Sequence, residues 1–152
     1  MSEPQRPPLA GVHHVKMPVS DLARATAWYG RVLGAEPIPE LDHHHRSDGS
    51  VYAHICEVPG LGTKLEIRLD EVQAAKSQGF DPITIAVKDR ATLQQWSDFL
   101  DAEGIEHSPP IAGVQAWLIV FDDPDGNRLR FYTLEKHGPE VAPDETNPWV
   151  RN

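Results

Sequence analysis

Gly11-Val12-His13-His14-Val15-Lys16-Met17-Pro18-Val19-Ser20-Asp21-Leu22 begins a pattern that the chain states twice. An extended run leads to an aspartate, and a helical run carrying Trp28 then ends at Gly34. The pattern returns at Ile83-Thr84-Ile85-Ala86-Val87, followed by Asp89, a helical run carrying Trp96, and a stop at Gly104. Asp21 with Asp89, and Trp28 with Trp96, share one offset of 68 residues. Each copy adds two more strand-like segments and closes on Lys64-Leu65-Glu66-Ile67 or Arg128-Leu129-Arg130-Phe131. Two copies at such a long period do not make a solenoid. They predict an α+β fold of two βαβββ modules whose equivalent strands face a shared cleft.

The elements between these anchors follow from local chemistry. Asp21 or Ser20 suits the first helix N-cap, and Leu22, Ala25, Trp28, Tyr29, Val32 and Leu33 recur on one face. Pro37 and Pro39 forbid the helix to continue past Gly34. Asp48-Gly49 is a turn signal before a strand over residues 50–58, and Gly60 and Gly62 turn the chain into a strand over 63–69. Residues 70–79 are polar and read as a linker. In the second copy Leu93, Trp96 and Leu100 give the helix its apolar stripe, and a strand is expected over 114–121. Asp122-Asp123-Pro124-Asp125-Gly126-Asn127 is a dense turn signal, with a spacing unlike a calcium loop. The expected organisation is a flexible leader at 1–10, a domain at 11–136 built of modules 11–70 and 80–136, and a Pro-rich tail at 137–152. Trp149 and Val150 in that tail either dock or move with a flexible segment.

Bulk properties exclude several partners. With 152 residues and a formal charge of −9, the chain suits one domain and repels nucleic acid and anionic membranes. Residues 1–9 lack an apolar signal region, and no apolar run approaches a bilayer span. One cysteine, Cys56, allows no intrachain disulfide, which fits a reducing cytoplasm, and a buried, inert thiol is its expected state.

Strand parity sorts the side chains, because successive residues point to opposite faces. Val15, Met17 and Val19, then Leu65, Ile67 and Leu69, Ile83, Ile85 and Val87, and Leu129 and Phe131 belong to a core face. The other face carries His14, Lys16, Lys64, Glu66, Arg68, Thr84, Arg128, Arg130 and Tyr132. Amphipathic sheets also present such a face to plain solvent.

The opening stretch from His13 to Leu22, with Trp28-Tyr29 and Leu33-Gly34, resembles the signature of the vicinal-oxygen-chelate superfamily. That superfamily includes glyoxalase I, bleomycin-resistance proteins, fosfomycin-resistance enzymes and extradiol dioxygenases. The stretch Phe121-Asp122-Asp123-Pro124-Asp125-Gly126-Asn127-Arg128-Leu129 is similar to its closing signature, so the likeness spans about residues 11–135. The resemblance implies that the βαβββ modules form a cup-shaped, partly closed sheet with helices outside, commonly in a dimer. It makes the polar face a cavity lining. It also implies metal ligands at four equivalent points, the first and last strands of each module. His14 and Glu66 occupy the points of the first module, whereas Pro82 and Arg130 stand at those of the second. Proline has no ligating side chain, and a guanidinium repels a divalent cation.

Two inherited ligands fall short of the three that a catalytic metal usually takes. A third is sought in His54 or in His43-His44-His45, although neighbours in an extended chain alternate sides and cannot all reach one ion. Arg130 is expected to pair with Glu66 in place of the ion. His14, Lys16, His54, Glu66, Arg130, Tyr132 and Trp117 are the candidate ligand-binding residues, with Trp117 and Tyr132 offering a flat wall and Trp117 equally suited to the core. The expected function is binding of a small anionic or aromatic molecule beside a degenerate metal site, with no cofactor. The alternative is a metal-dependent lyase, like lactoylglutathione lyase, or a dioxygenase, with His14 and Glu66 on one divalent ion. A third reading is a dimeric interaction module with a vestigial cup. A small-molecule ligand, a homodimer and a cytoplasmic location complete the expectations.

Overall fold

Three aspartates start the three helices of the computed structural model, which describes residues 2–150. Residues 1, 151 and 152, at the ends of the expected leader and tail, lie outside the described residues. Strand β1 (His14–Val19) leads to Asp21, whose side chain accepts the Arg24 amide and caps α1 (Leu22–Leu33). Gly34 ends α1 at φ 70°, a left-handed conformation that glycine adopts without a Cβ penalty. The short β2 (Glu36–Pro37), a 3-10 turn (Pro39–Leu41) and the short β3 (His43–His44) precede β4 (Val51–Glu57) and β5 (Lys64–Leu69). Asp70 caps α2 (Glu71–Lys76). The second copy follows as β6 (Ile83–Val87), α3 (Arg90–Ala102) capped by Asp89, β7 (Ile111–Ala112), β8 (Ala116–Asp122) and β9 (Arg128–Lys136).

The strands form two sheets of matching order. The first runs β1-β5-β4-β2, with β3 also on β4, and the second runs β6-β9-β8-β7. In each, the first strand pairs in parallel with the last, and the last pairs antiparallel with the strand before it. The fold is therefore the expected α+β arrangement of two βαβββ units, with β3 and α2 as additions to the first.

One core serves both copies. Met17, Val19, Tyr29, Val32, Leu65 and Ile67 from the first and Leu93, Leu100, Ile119, Phe121, Leu129 and Phe131 from the second are buried together. The Trp28 ring of α1 lies 6.2 Å from the Phe121 ring of β8. Burying such side chains stabilises the fold by about 2 kcal/mol each, before the entropy of ordering them is subtracted.

The turn from Asp123 to Asn127 joins the copies with directed bonds. Asn127 Nδ2 donates to the Pro18 carbonyl at 2.8 Å, and Asp125 accepts from the Ser20 amide at 3.1 Å. Gly79 donates its amide to the Gly126 carbonyl at 2.8 Å. These bonds secure how the second sheet sits beside the first helix.

Three local expectations are corrected. Residues 70–79 contain α2, because Asp70 supplies a cap and 71–76 are good helix formers. Leu69 is 38% exposed, since it ends its strand where the packed face has run out. β8 begins at Ala116 instead of Val114, because Gly113 and Ala116 close a turn through a 2.7 Å backbone bond. In the tail, Arg128 Nη1 donates to the carbonyls of Pro148 and Trp149, so this stretch docks on the second sheet.

Candidate functional site

Glu66 stands in the middle of β5 with no exposed surface, on the face opposite Leu65 and Ile67. Register places Lys16 on β1 and Ile55 on β4 beside it, and His14 beside Lys64. β3 brings His43 opposite Ala53, the partner of Arg68, so His43 joins the same face. A carboxylate so buried must be neutralised or bonded. Arg68 Nε donates to Glu66 Oε2 at 2.7 Å, a charge-assisted bond. Glu66 Oε1 lies 3.5 Å from His14 Nε2 and 3.6 Å from His43 Nδ1.

The sequence candidates divide between two faces and two modules. His14, Lys16 and Glu66 share the first module's polar face as expected. His54 does not join them. It pairs in register with Ile67, on the helix side, and its Nδ1 meets Asp42 Oδ1 at 2.8 Å. Trp117 likewise falls on the helix side, one residue before Leu118, which pairs with Tyr132. The Arg90 guanidinium lies 4.8 Å from the Trp117 ring centroid, so this tryptophan packs at the start of α3 and walls no cup.

Arg130 and Tyr132 keep to the polar face of the second module, opposite Thr84 and Ala86. The Tyr132 hydroxyl accepts the amides of Gln115 and Ala116, which commits it to shaping the turn before β8. The expected Glu66–Arg130 pair does not form. Each found a nearer partner, Arg68 for Glu66 and, for Arg130, Asp81, with 2.9 Å between Nη2 and Oδ2. That Arg130 contact is an ion pair by distance only, since Arg130 Nε and Nη2 direct no hydrogen bond to a partner. Among the described residues no hydrogen bond or ion pair links the His14–Glu66 group to Arg130 or Tyr132, so the two polar faces remain separate in one chain.

A cavity of about 280 Å³ borders the first group, lined in part by Lys16, Pro18, Arg68, Phe80, Pro82 and Asn127. Its wall mixes two cationic side chains with one carboxylate, Asp70, the polar Gln73 and Ser77, and apolar surface. Phe80 is 56% exposed there, an unusual setting for a phenyl ring. A larger cavity of about 530 Å³ lies elsewhere, between Ile105, Glu106, Asp122, Arg128 and the tail residues Pro148 and Trp149. Its cation is already engaged, because Arg128 Nε donates to Asp122 at 3.0 Å and Nη1 to the tail. The smaller cavity, whose lining residue Arg68 bonds Glu66, is the better candidate.

Sequence reasoning weighed His43 only together with its histidine neighbours, and alternation along β3 sends that one toward Glu66. Phe80 fell in the supposed linker, and its only signal was an aromatic ring in a polar segment.

The described residues supply donors for a divalent ion but no complete ligand set. No three or more His, Cys, Asp or Glu side chains among the described residues are gathered as a ready metal cage. Yet Glu66 Oε1 and His43 Nδ1 are buried without a hydrogen-bond partner, and both face the position that His14 also faces. Two imidazoles and a carboxylate oxygen are suitable donors for first-row divalent metals.

The pattern of the Glyoxalase/Bleomycin resistance protein/Dioxygenase superfamily matches residues 11–131. No curated protein matches the chain. Solved structures share its fold. Lactoylglutathione lyase from Agrobacterium tumefaciens is 16% identical with a TM-score of 0.61, covering 84% of this chain and 96% of its own. A glyoxylase/bleomycin resistance protein/dioxygenase domain from Frankia sp. EAN1pec is 22% identical with a TM-score of 0.62, covering 86% of this chain and 95% of its own. A mutant of the fosfomycin resistance protein FosX from Listeria monocytogenes, complexed with Mn(II) and a dihydroxypropylphosphonic acid, is 18% identical with a TM-score of 0.63. That alignment covers 82% of this chain and 92% of the other. At these identities the likeness is one of fold. The chain belongs to the Glyoxalase/Bleomycin resistance protein/Dioxygenase superfamily.

Proposed function

We propose that this superfamily member binds a small anionic molecule on the polar face of its first module, with the acid group against Lys16 and Arg68. The observation that carries the reading is the cavity where Lys16 and Arg68, outnumbering the one acid Asp70, meet the apolar surfaces of Pro18, Phe80 and Pro82. A protein of formal charge −9 that gathers cations at one concavity favours a ligand of opposite sign there. A flat or compact apolar body suits the Phe80 and Pro82 wall. The family neighbour holding a phosphonic acid on the same fold is consistent with such chemistry.

His14, Lys16, Glu66 and Arg68 are the residues assigned to recognition. Glu66 contributes by fixing Arg68, not by touching an anion it would repel. The reading includes a cytoplasmic homodimer in which a second copy covers the open polar face, checked by sedimentation equilibrium. The test of function is a thermal-shift and calorimetric screen of aromatic carboxylates, phosphonates and phosphate esters. A bound anion raises the melting temperature by mass action, and Lys16→Ala lowers its affinity. Neutral analogues binding as tightly as the acids would sink the reading.

A second reading has one observation in its favour: the guanidinium of Arg130 is committed to Asp81 and leaves Glu66 Oε1 clear. In it the chain is a metal-dependent lyase or dioxygenase, with His14 and Glu66 among the ligands. A divalent ion there supplies Lewis acidity toward an oxygen of the bound molecule. His14 and Glu66 hold it, and Arg68 keeps the carboxylate turned toward it.

A further inference from the structure

Asn127 lines the same cavity as Lys16 and Arg68, and its side chain carries an unmet bond. The residue has no exposed surface. Nδ2 donates to the Pro18 carbonyl and to Asp123 Oδ2, each at 2.8 Å. Two acceptors around one nitrogen fix which end of the amide is which. Oδ1 is therefore a buried carbonyl acceptor, without a hydrogen-bond partner among the described residues. Native interiors seldom leave such an oxygen without a donor. The cavity is the space from which a donor can arrive.

The rest of the wall is polarised in the same sense. Lys16 and Arg68 supply the cations, and Arg68 Nε turns back to Glu66 at 2.7 Å. Asp70 follows Arg68 by two residues and is held in place by its backbone amide, which donates to the Val19 carbonyl at 2.9 Å. Its Oδ1 accepts the Gln73 amide at 2.9 Å as the cap of α2, and Oδ2 is left without a hydrogen-bond partner among the described residues. Gln73 Nε2 is spent on Ser77 Oγ at 2.8 Å, which leaves the Gln73 amide oxygen as a further acceptor. Pro18 and Val19, neighbours at the end of β1, thus anchor Asn127 and Asp70. Two residues of extended chain rise about 7 Å, which separates the cationic end from the accepting end. Phe80 and Pro82 add apolar surface to the same wall.

We propose that this cavity takes an amphoteric ligand, with its acid group at Lys16 and Arg68 and an ammonium group at Asp70 and Asn127 Oδ1. The inference rests on the anion-binding reading of the same cavity and narrows the ligand class. Asp70 acts as a specificity residue. It repels a plain acid and favours one that carries its own positive charge. A plain acid also leaves Asn127 Oδ1 unbonded. A water molecule would satisfy Asn127 alone, but it gives no use to the charge on Asp70. An amino acid whose charges lie about 7 Å apart finds a partner at both ends.

The test titrates the full chain calorimetrically with para-toluate, para-(aminomethyl)benzoate and para-methylbenzylamine. The three share one ring and differ only in their charged ends. The amphoteric probe is expected to bind about tenfold more tightly than para-toluate. Asp70→Asn keeps an oxygen to cap α2, because asparagine caps as well as aspartate, and removes the charge. It should weaken the amphoteric probe several-fold while para-toluate binds as well or better. Loss of a merely structural cap would weaken both acids together. Equal binding of the two acids, or an unchanged preference in Asp70→Asn, overturns this inference and leaves the anion reading standing. If neither acid binds at millimolar concentration, or if para-methylbenzylamine matches the amphoteric probe, the anion reading falls and this inference with it.

Discussion

The Tyr29 hydroxyl of the first copy donates a 2.7 Å hydrogen bond to Asp123 Oδ2 in the closing turn of the second. Tyr29 has no exposed surface, and burial followed by the Asp123 charge pushes its ionisation well above the ordinary tyrosine value. The bond thus remains a neutral phenol giving a proton to a carboxylate at any physiological pH. Tyr29→Phe keeps the ring packing and removes the bond, which costs about 2 kcal/mol. Urea unfolding should show a lower midpoint at unchanged slope.

Asp123 gives a pH signature of the same junction. Burial raises its pKa above the ordinary value of 3.8, against the hydrogen bonds from Asn127, Tyr29 and Asp125 that lower it. The folded protein therefore holds this proton to higher pH than the unfolded chain does. Its contribution is fully present below the unfolded value and is lost as pH rises through the raised one. Asp123→Asn cannot titrate, although its amide would face the Asn127 donor and weaken the turn. The stability of wild type relative to this variant should fall as pH is raised from about 3 to about 6. A relative stability that rises over this range would contradict the assignment.

Cys56 should be nearly inert in the native state. It is fully buried, and burial together with the nearby Asp42 charge pushes its thiol up to about 11. At pH 8 that leaves on the order of one thiolate in a thousand, before access is considered. Iodoacetamide should label one thiol per chain in strong denaturant and almost none in native buffer. Rapid native labelling would show that β4 opens or that the thiol is not buried.

Much of the fold was legible because repetition and parity are local signals. Asp21 caps its helix, one of the two caps read for it, Gly34 stops that helix, and Met17, Ile67, Val87 and Phe131 turn to the core. Parity was not read for His54 and Trp117, whose sides depend on the registers of β4 and β8, and the core was already open to Trp117. Composition does not reveal those registers, because both strands are apolar on alternating and non-alternating positions alike. The Glu66–Arg130 pairing failed for a different reason. Equivalence by duplication says that two positions correspond, not that they touch, and Arg68 and Asp81 were the shorter-range partners. The Asp123–Asn127 turn was recognised as a turn, but its grip on Pro18, Ser20 and Tyr29 crosses about a hundred residues of chain and left no local trace.

Arg130 offers the sharpest separation between descent and present structure. The resemblance implies a glutamate here in the family's metal enzymes, so Arg130→Glu supplies that carboxylate. The local surroundings predict harm instead. Asp81 is only 13% exposed and lies 2.9 Å from Arg130 Nη2, so a glutamate there would face an acid across a desolvated gap. The loss should be about 2–4 kcal/mol, since a buried charge loses its partner and gains a like charge. Asp81→Asn in the same chain should recover part of that loss, giving a coupling of about 1–3 kcal/mol in a double-mutant cycle. A gain of metal affinity in Arg130→Glu would mean that the two polar faces meet, in one chain or across two.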